Sequence, residues 1–186
     1  MKRLMFGAAA LAAVMTTAAC GMMAAPTGAG AEIAMAAQAQ PAPAAMDFAR
    51  MAAASDAYEI QSSQLLLQTT GNDELRRFAG MMVEHHTMTT ATLARQAQAA
   101  GMAPPPPQLD TRKAEMIRQL QAVSGEQRDR LYVQQQVMAH DEALRLHSSY
   151  ARNGDTAELR TAAAAAVPIV SQHYNQISEM QVRMGR

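Results

Sequence analysis

Residues 72–101 read NDELRRFAGMMVEHHTMTTATLARQAQAAG, and their spacing decides the fold. Leu75, Phe78/Ala79, Met82, His86, Thr89/Thr90, Leu93 and Ala97 recur every three or four positions, the period of one α-helical face. Asn72 is placed to cap the N-terminus, Asp73 and Glu74 suit its positive end, and Gly101 supplies a stop. The stripe carries a histidine three residues after a valine. Val83-x-x-His86 is then repeated as Val137-x-x-His140 and Val170-x-x-His173, each time within a long helical pattern.

Working outward, the chain resolves into more helices of the same kind. Before Gly71, residues 45–69 carry Phe48, Met51/Ala52, Ser55, Tyr58/Glu59, Ser62 and Leu65/Leu66 at helical spacing. After Gly101 comes Pro104-Pro105-Pro106-Pro107, a stiff extended spacer. A short helix is expected from about Asp110 to Val123. Ser124-x-x-Gln127 reads as a capping box opening a long helix from about Glu126 to Arg152. Asn153-Gly154 makes a turn, and Asp155-x-x-Glu158 reads as a second capping box opening a helix from about Thr156 to Arg183. Pro168 lies inside that last helix and is expected to kink it just over a turn before His173.

The expected architecture is all-α: two helical hairpins, with a short extra helix in the crossover between them. The crossover spans on the order of 30 Å and the long helices roughly 40 Å. It can therefore run nearly the full bundle length, the way ferritin-like four-helix bundles join their hairpins.

The composition agrees. Ala, Met, Gln and Leu dominate, there is no Trp, and good helix formers replace the β-branched and aromatic residues of strands. The formal net charge is zero, and no basic cluster beyond the N-terminus is long enough to track phosphates, which argues against nucleic acid as a partner.

Residues 1–20 read as a targeting segment. Lys2 and Arg3 form a positive start, and Leu4 to Val14 is a short apolar stretch. Thr17-Ala18-Ala19-Cys20 follows and resembles a bacterial lipobox, with Thr17 where Leu is usual. Cys20 is the sole cysteine, so an intramolecular disulfide is excluded and lipid attachment is the simplest role. That makes the membrane a partner through an N-terminal lipid anchor. Gly21, in place of an inner-membrane retention Asp, favours the periplasmic face of the outer membrane. Ordinary signal cleavage, for instance after Ala29-Gly30-Ala31, would instead leave a soluble periplasmic protein. Residues 21–45 read as an Ala/Met/Pro/Gln tether, and residues 46–184 as the helical domain.

In helix-bundle di-iron enzymes, Glu-x-x-His puts two ligands on the bundle axis. Here valine stands in the carboxylate position each time, which leaves too few carboxylates for a di-iron oxidase. Counting residues places His86 and His140 at one level, with Glu59 close by and His173 about a turn away. Glu59, His86, His140 and His173 are the candidate metal ligands, one from each long helix, and imidazole suits Zn, Cu, Fe or Ni. The alternative is a buried polar layer in which neutral histidines donate to Glu59, Tyr58, Tyr132 or water. His85 and Met82 are further candidates, since Met beside His suits Cu(I), but Met is also a common core filler. His85 and His147 are otherwise expected at solvated edges. No catalytic nucleophile or phosphate loop is recognisable.

Tyr58-Glu59-Ile60, Leu75 through Thr87, Tyr132, Val137-Met138-Ala139-His140, Asn153-Gly154-Asp155, and Pro168 followed by His173 together resemble the bacterial family called domain of unknown function 4142. Its members are often described as outer membrane proteins. The resemblance covers about Asp47 to Met180 and implies an exported ferritin-like domain, without supplying an activity. The family usually has Asp-His where this chain has His85-His86, so the histidine carries over to His86 and its acidic partner is lost or moved to Glu84. Met82-Val83-Glu84-His85-His86 is also similar to the Met-x-x-His-His signature of a second small ferritin-like family linked to copper handling. The missing carboxylates favour a non-enzymatic, lipid-anchored envelope module with a binding or stress-related role and an unidentified protein partner. A periplasmic metal-binding or metal-dependent redox protein is the alternative.

Overall fold

The computed structural model describes residues 42–185. The lipobox, Cys20 and most of the tether lie outside them. Five helices follow in order: α1 (Ala45–Thr69), α2 (Asp73–Ala99), α3 (Thr111–Ala122), α4 (Gly125–Asn153) and α5 (Ala157–Met184). No strand occurs among the described residues. None of their helices is long and apolar enough to cross a membrane.

Helix ends follow local chemistry. Asn72 accepts hydrogen bonds from the Glu74 and Leu75 amides and caps α2. At the other end of α2, Gly101 adopts φ 72°, and the Met102 and Gly101 amides donate to the Ala97 and Gln98 carbonyls. This is a Schellman stop, and it depends on a residue that tolerates the left-handed conformation. Asp110 caps α3 by accepting from the Lys113 amide.

The two expected capping boxes do not form. Ser124 and Thr156 occupy the N-cap positions of α4 and α5 without side-chain cap bonds. Asp155 is used otherwise. It accepts from the Tyr150 hydroxyl at 2.7 Å, from the Thr156 hydroxyl at 3.2 Å and from the Ala45 amide at 3.3 Å. The turn between α4 and α5 is thereby fastened to the first amide of α1. Tyr150 also stacks on Phe48, with ring centroids 3.9 Å apart. Gly154 is required beneath it, because a β-carbon there would sit 2.5 Å from Tyr150 Cε1.

Two apolar clusters define the helix directions. Phe48, Ala52, Leu93, Ala97, Tyr150 and Leu159 meet at one end of the bundle, and Leu66, Leu75, Phe78, Tyr132, Val133 and Ile177 at the other. So α1 and α5 run one way while α2 and α4 run the other. The α1/α2 and α4/α5 hairpins pack most extensively, and α2 against α5 and α1 against α4 close the ring. Since α2 ends where α4 ends, residues 100–124 must travel back the whole length of the bundle. The helix within that crossover, α3, lies on α1 and α4 and buries Met116 and Ile117 against Tyr58 and Ala139. This is the ferritin-like arrangement. It brings the midpoints of all four long helices to one level.

Candidate metal centre

At that level each long helix contributes polar side chains to the interior. His86 (α2), His140 (α4) and His173 (α5) are at most 2% exposed. Their ring centroids form a near-equilateral triangle: 5.7 Å for His86–His140, 5.3 Å for His86–His173 and 5.4 Å for His140–His173. One nitrogen from each ring lies within 4.8 Å of the others, and these three residues form the potential metal-holding group found among the described residues. Residue counting alone puts His173 about a turn away. The structure places His173 in the same layer as the other two.

The other nitrogen of each ring is already held. His86 Nδ1 lies 2.9 Å from Asp56 Oδ1, and His140 Nδ1 lies 2.9 Å from the Gln136 carbonyl. A carboxylate and a carbonyl only accept, so both rings donate from Nδ1 and turn Nε2 elsewhere. His173 Nε2 lies 2.8 Å from His85 Nδ1. That leaves His86 Nε2, His140 Nε2 and His173 Nδ1, each buried and without a hydrogen-bond partner. Asp56 is itself steadied by Thr90, whose hydroxyl donates to Oδ2 at 3.0 Å.

Glu59 lies beside the triangle rather than in it. Its nearest approach to a ring is 3.8 Å, from Oε1 to His140 Nδ1, on the side where that nitrogen already bonds Gln136. Both carboxylate oxygens are buried and unpartnered. Contrary to the expectation from sequence, Glu59 does not join the converging set. The Tyr58 and Tyr132 hydroxyls bond Gln135 and Ser63 instead of any histidine.

The remaining candidates fall as follows. Met82 packs in the apolar cluster with Leu75, Phe78 and Ile177, and Met138 is 49% exposed, so the methionines do not form a sulfur site around the rings. Glu84 is exposed, and the acidic partner of His86 is Asp56, from a different helix. His85 is half-buried against His173, and His147 is buried. Neither occupies the solvated edge expected for it. Sequence reasoning missed Asp56 altogether. The available signal was that Asp56 and Glu59, a turn apart, are the only charged residues between Arg50 and Asp73.

Burial controls the charge states. It pulls His140 down to about 3 and His173 to about 2, with the charge of His86 adding to both. Burial also opposes charge on His86, but its hydrogen bond to Asp56 and the charges of Asp56 and Glu59 outweigh it and raise the pKa. Glu59 is pushed up to about 7, chiefly by burial. At neutral pH His140 and His173 are neutral rings with free lone pairs, the form in which imidazole ligates a metal.

These features define the class: a ferritin-like four-helix bundle with an interior histidine triangle. The model of the family described as Domain of unknown function (DUF4142) matches residues 30–180, and the chain belongs to that family. No curated protein and no solved structure matches the chain.

Proposed function

We propose that the domain binds one divalent transition-metal ion at the bundle centre through His86 Nε2, His140 Nε2 and His173 Nδ1. One observation carries the reading: the three rings offer ligand atoms within 4.8 Å of one another, and each ring has one buried nitrogen without a partner while its other nitrogen is held. Metal-ligating histidines are held in this way, by a carboxylate, a carbonyl or another polar group on the far nitrogen. The spacing agrees, since three imidazoles bound at about 2.0 Å to one tetrahedral ion have ring centroids about 5 Å apart.

Leaving five buried polar atoms unpaired costs roughly 1–3 kcal/mol each. A cation removes the cost for the three nitrogens and offsets the charge of Glu59. A set of three imidazoles suits Zn, Fe, Ni or Cu(II) and leaves a coordination position for a further small ligand. The absence of carboxylates at Val83, Val137 and Val170 by itself favours a module without metal. Two acidic residues nonetheless stand beside the rings, both from α1.

The test is elemental analysis of the purified protein, together with titration of the chelator-stripped form with Zn, Fe(II), Ni and Cu(II). One equivalent bound in the native protein and none in His140→Ala supports the reading. A folded protein that binds none of these ions, and whose Tm none of them raises, would leave the triangle as a structural polar layer.

The location of the domain is a second part of the proposal, and it rests on sequence alone. Lys2, Arg3, the apolar stretch and Thr17-Ala18-Ala19-Cys20 support export and lipid anchoring at Cys20, at the periplasmic face of the outer membrane. Cys20→Ala is expected to release the protein from membranes, and unchanged membrane retention would refute the anchor.

A further inference from the structure

A second interior feature shares no residue with the apolar cluster of Leu66 or with the three converging histidines. It is a cavity of about 160 Å³ among α1, α2, α4 and α5. Its floor is Ala52, Asp56 and His147, all buried. Leu93, Ala166 and Ile169 line its walls, and the exposed Met88 and Ala165 its mouth, between α2 and α5.

Two facts indicate a ligand. The first is size: an apolar cavity of roughly 150 Å³ takes a molecule such as benzene. The second is a polar group with nothing to bond. His147 lines the cavity, is 7% exposed and makes no side-chain hydrogen bond; its Nδ1 is sealed inside the protein, which leaves Nε2 as the nitrogen for a ligand. Phe48 packs edge-on to the ring, with centroids 5.6 Å apart, and helps fix it. Burial lowers the His147 pKa to about 4, so at neutral pH the ring is uncharged and offers one donor and one acceptor.

Beside it lies Asp56, whose carboxylate holds His86 and Thr90 and is an acceptor. A mostly apolar pocket with a few convergent polar groups is the usual form of a small-molecule site. An uncharged imidazole beside an acceptor matches a hydroxyl, which can both donate and accept. The alanines at positions 52, 162, 165 and 166 create the space, since any larger side chain there would enter the cavity.

We propose that this cavity binds a small neutral molecule of about benzene size that carries one hydroxyl group, with the hydroxyl hydrogen-bonded to His147 and Asp56. The site does not depend on metal, because His147 is not one of the three converging rings. Its occupancy nevertheless touches Asp56, the carboxylate that holds His86, so ligand and ion share a residue.

Phenol and toluene are suitable probes, because they have nearly the same shape and differ in the hydroxyl. Binding to the full-length, chelator-stripped protein is measured by calorimetry and by NMR shifts of the Ala166 and Ile169 methyl groups. The expected result is saturable one-site binding of phenol, about tenfold tighter than toluene, as one hydrogen bond to an otherwise unpaired buried group supplies. His147→Leu should bring phenol down to the level of toluene, and Ala165→Phe, which fills the mouth, should weaken both. If His147→Leu does not fold, Ala165→Phe and the methyl shifts still decide the location. No saturable phenol binding, equal affinity for the two probes, or shifts that miss Ala166 and Ile169 would each overturn the proposal.

Discussion

Two polar regions share the interior of this bundle, and they are built on opposite principles. Along the seam between α1 and α4, polar groups pair with one another. The Tyr58 hydroxyl donates to Gln135 Oε1 at 3.0 Å, the Gln136 amide donates to Ser62 at 3.1 Å, and Ser63 and Tyr132 share a 2.8 Å bond. Gln135 goes on to donate to the Met116 carbonyl and so fastens α3. A turn away, the histidine layer uses its hydrogen bonds only on the outward side and leaves three ring nitrogens and the Glu59 carboxylate unpaired. The seam leaves one buried atom unpaired, Gln136 Oε1, against five in the histidine layer, and a polar layer selected for register alone would keep such groups few because each destabilises. The difference is what directs attention to the histidines as a site rather than as a structural layer.

The comparison can be broken at either region. The largest effect is expected at the triangle. His140→Ala should lower ion affinity by a hundredfold or more, roughly 2.7 kcal/mol or above, with one ligand of three gone. Metal titration reads it, and affinity within about threefold of the native value would break the contrast.

Acid comes next. His140, His147 and His173 have folded pKa values depressed to about 3, 4 and 2, so the unfolded chain takes up their protons first, near 6.5. Their contribution is intact above pH 6.5 and is lost as the pH falls. Glu59, raised to about 7, acts the other way: the folded state binds its proton more readily, so it adds stability as the pH drops from about 7 towards 4.5. His86, whose pKa is also raised, acts in the same direction as Glu59, and three groups outweigh these two. The metal-free protein should lose on the order of 1–3 kcal/mol per pH unit between pH 6 and 5, as read by urea unfolding. A flat profile there would show that these rings are not buried neutral.

A smaller, two-signed effect is expected for Glu59→Gln. At pH 8 the ionised carboxylate is held against its desolvation, so the variant should stabilise the metal-free protein by about 1–3 kcal/mol while weakening ion binding. Loss of stability without metal would mean that Glu59 is paired in solution. The smallest effect belongs to the seam. Tyr132→Phe should cost about 1 kcal/mol for the bond to Ser63 and leave ion affinity unchanged, which separates the two regions directly.

Much of this was legible along the chain. The α1 boundaries coincide with the reading of residues 45–69, and those of α2 to α5 fall within a few residues of it, because apolar periodicity, Asn72, Gly101 and the four prolines act locally. The layer of His86 and His140 followed from helix counting once the crossover was long enough to reverse. Loop lengths could not fix His173 to better than a turn, since its level depends on how α5 packs against α4 and α2. His147 stands seven residues after His140, on the same helical face, which was the available sign that it is buried. Asp56 escaped because its partner, His86, is thirty residues away on another helix, and a search for carboxylates at the i−3 position could not find it.

The sequence by itself determined the helices, their order, the long crossover and the presence of histidines on inward stripes, since each of these follows from spacing and from residues that start or stop a helix. Only the tertiary structure decided that the three rings converge, that the acidic residues beside them come from α1, and that alanines open a cavity over His147. Those outcomes depend on the relative rotation and register of packed helices. Side-chain volumes and closure contacts from all four long helices set them jointly, and no single segment encodes them.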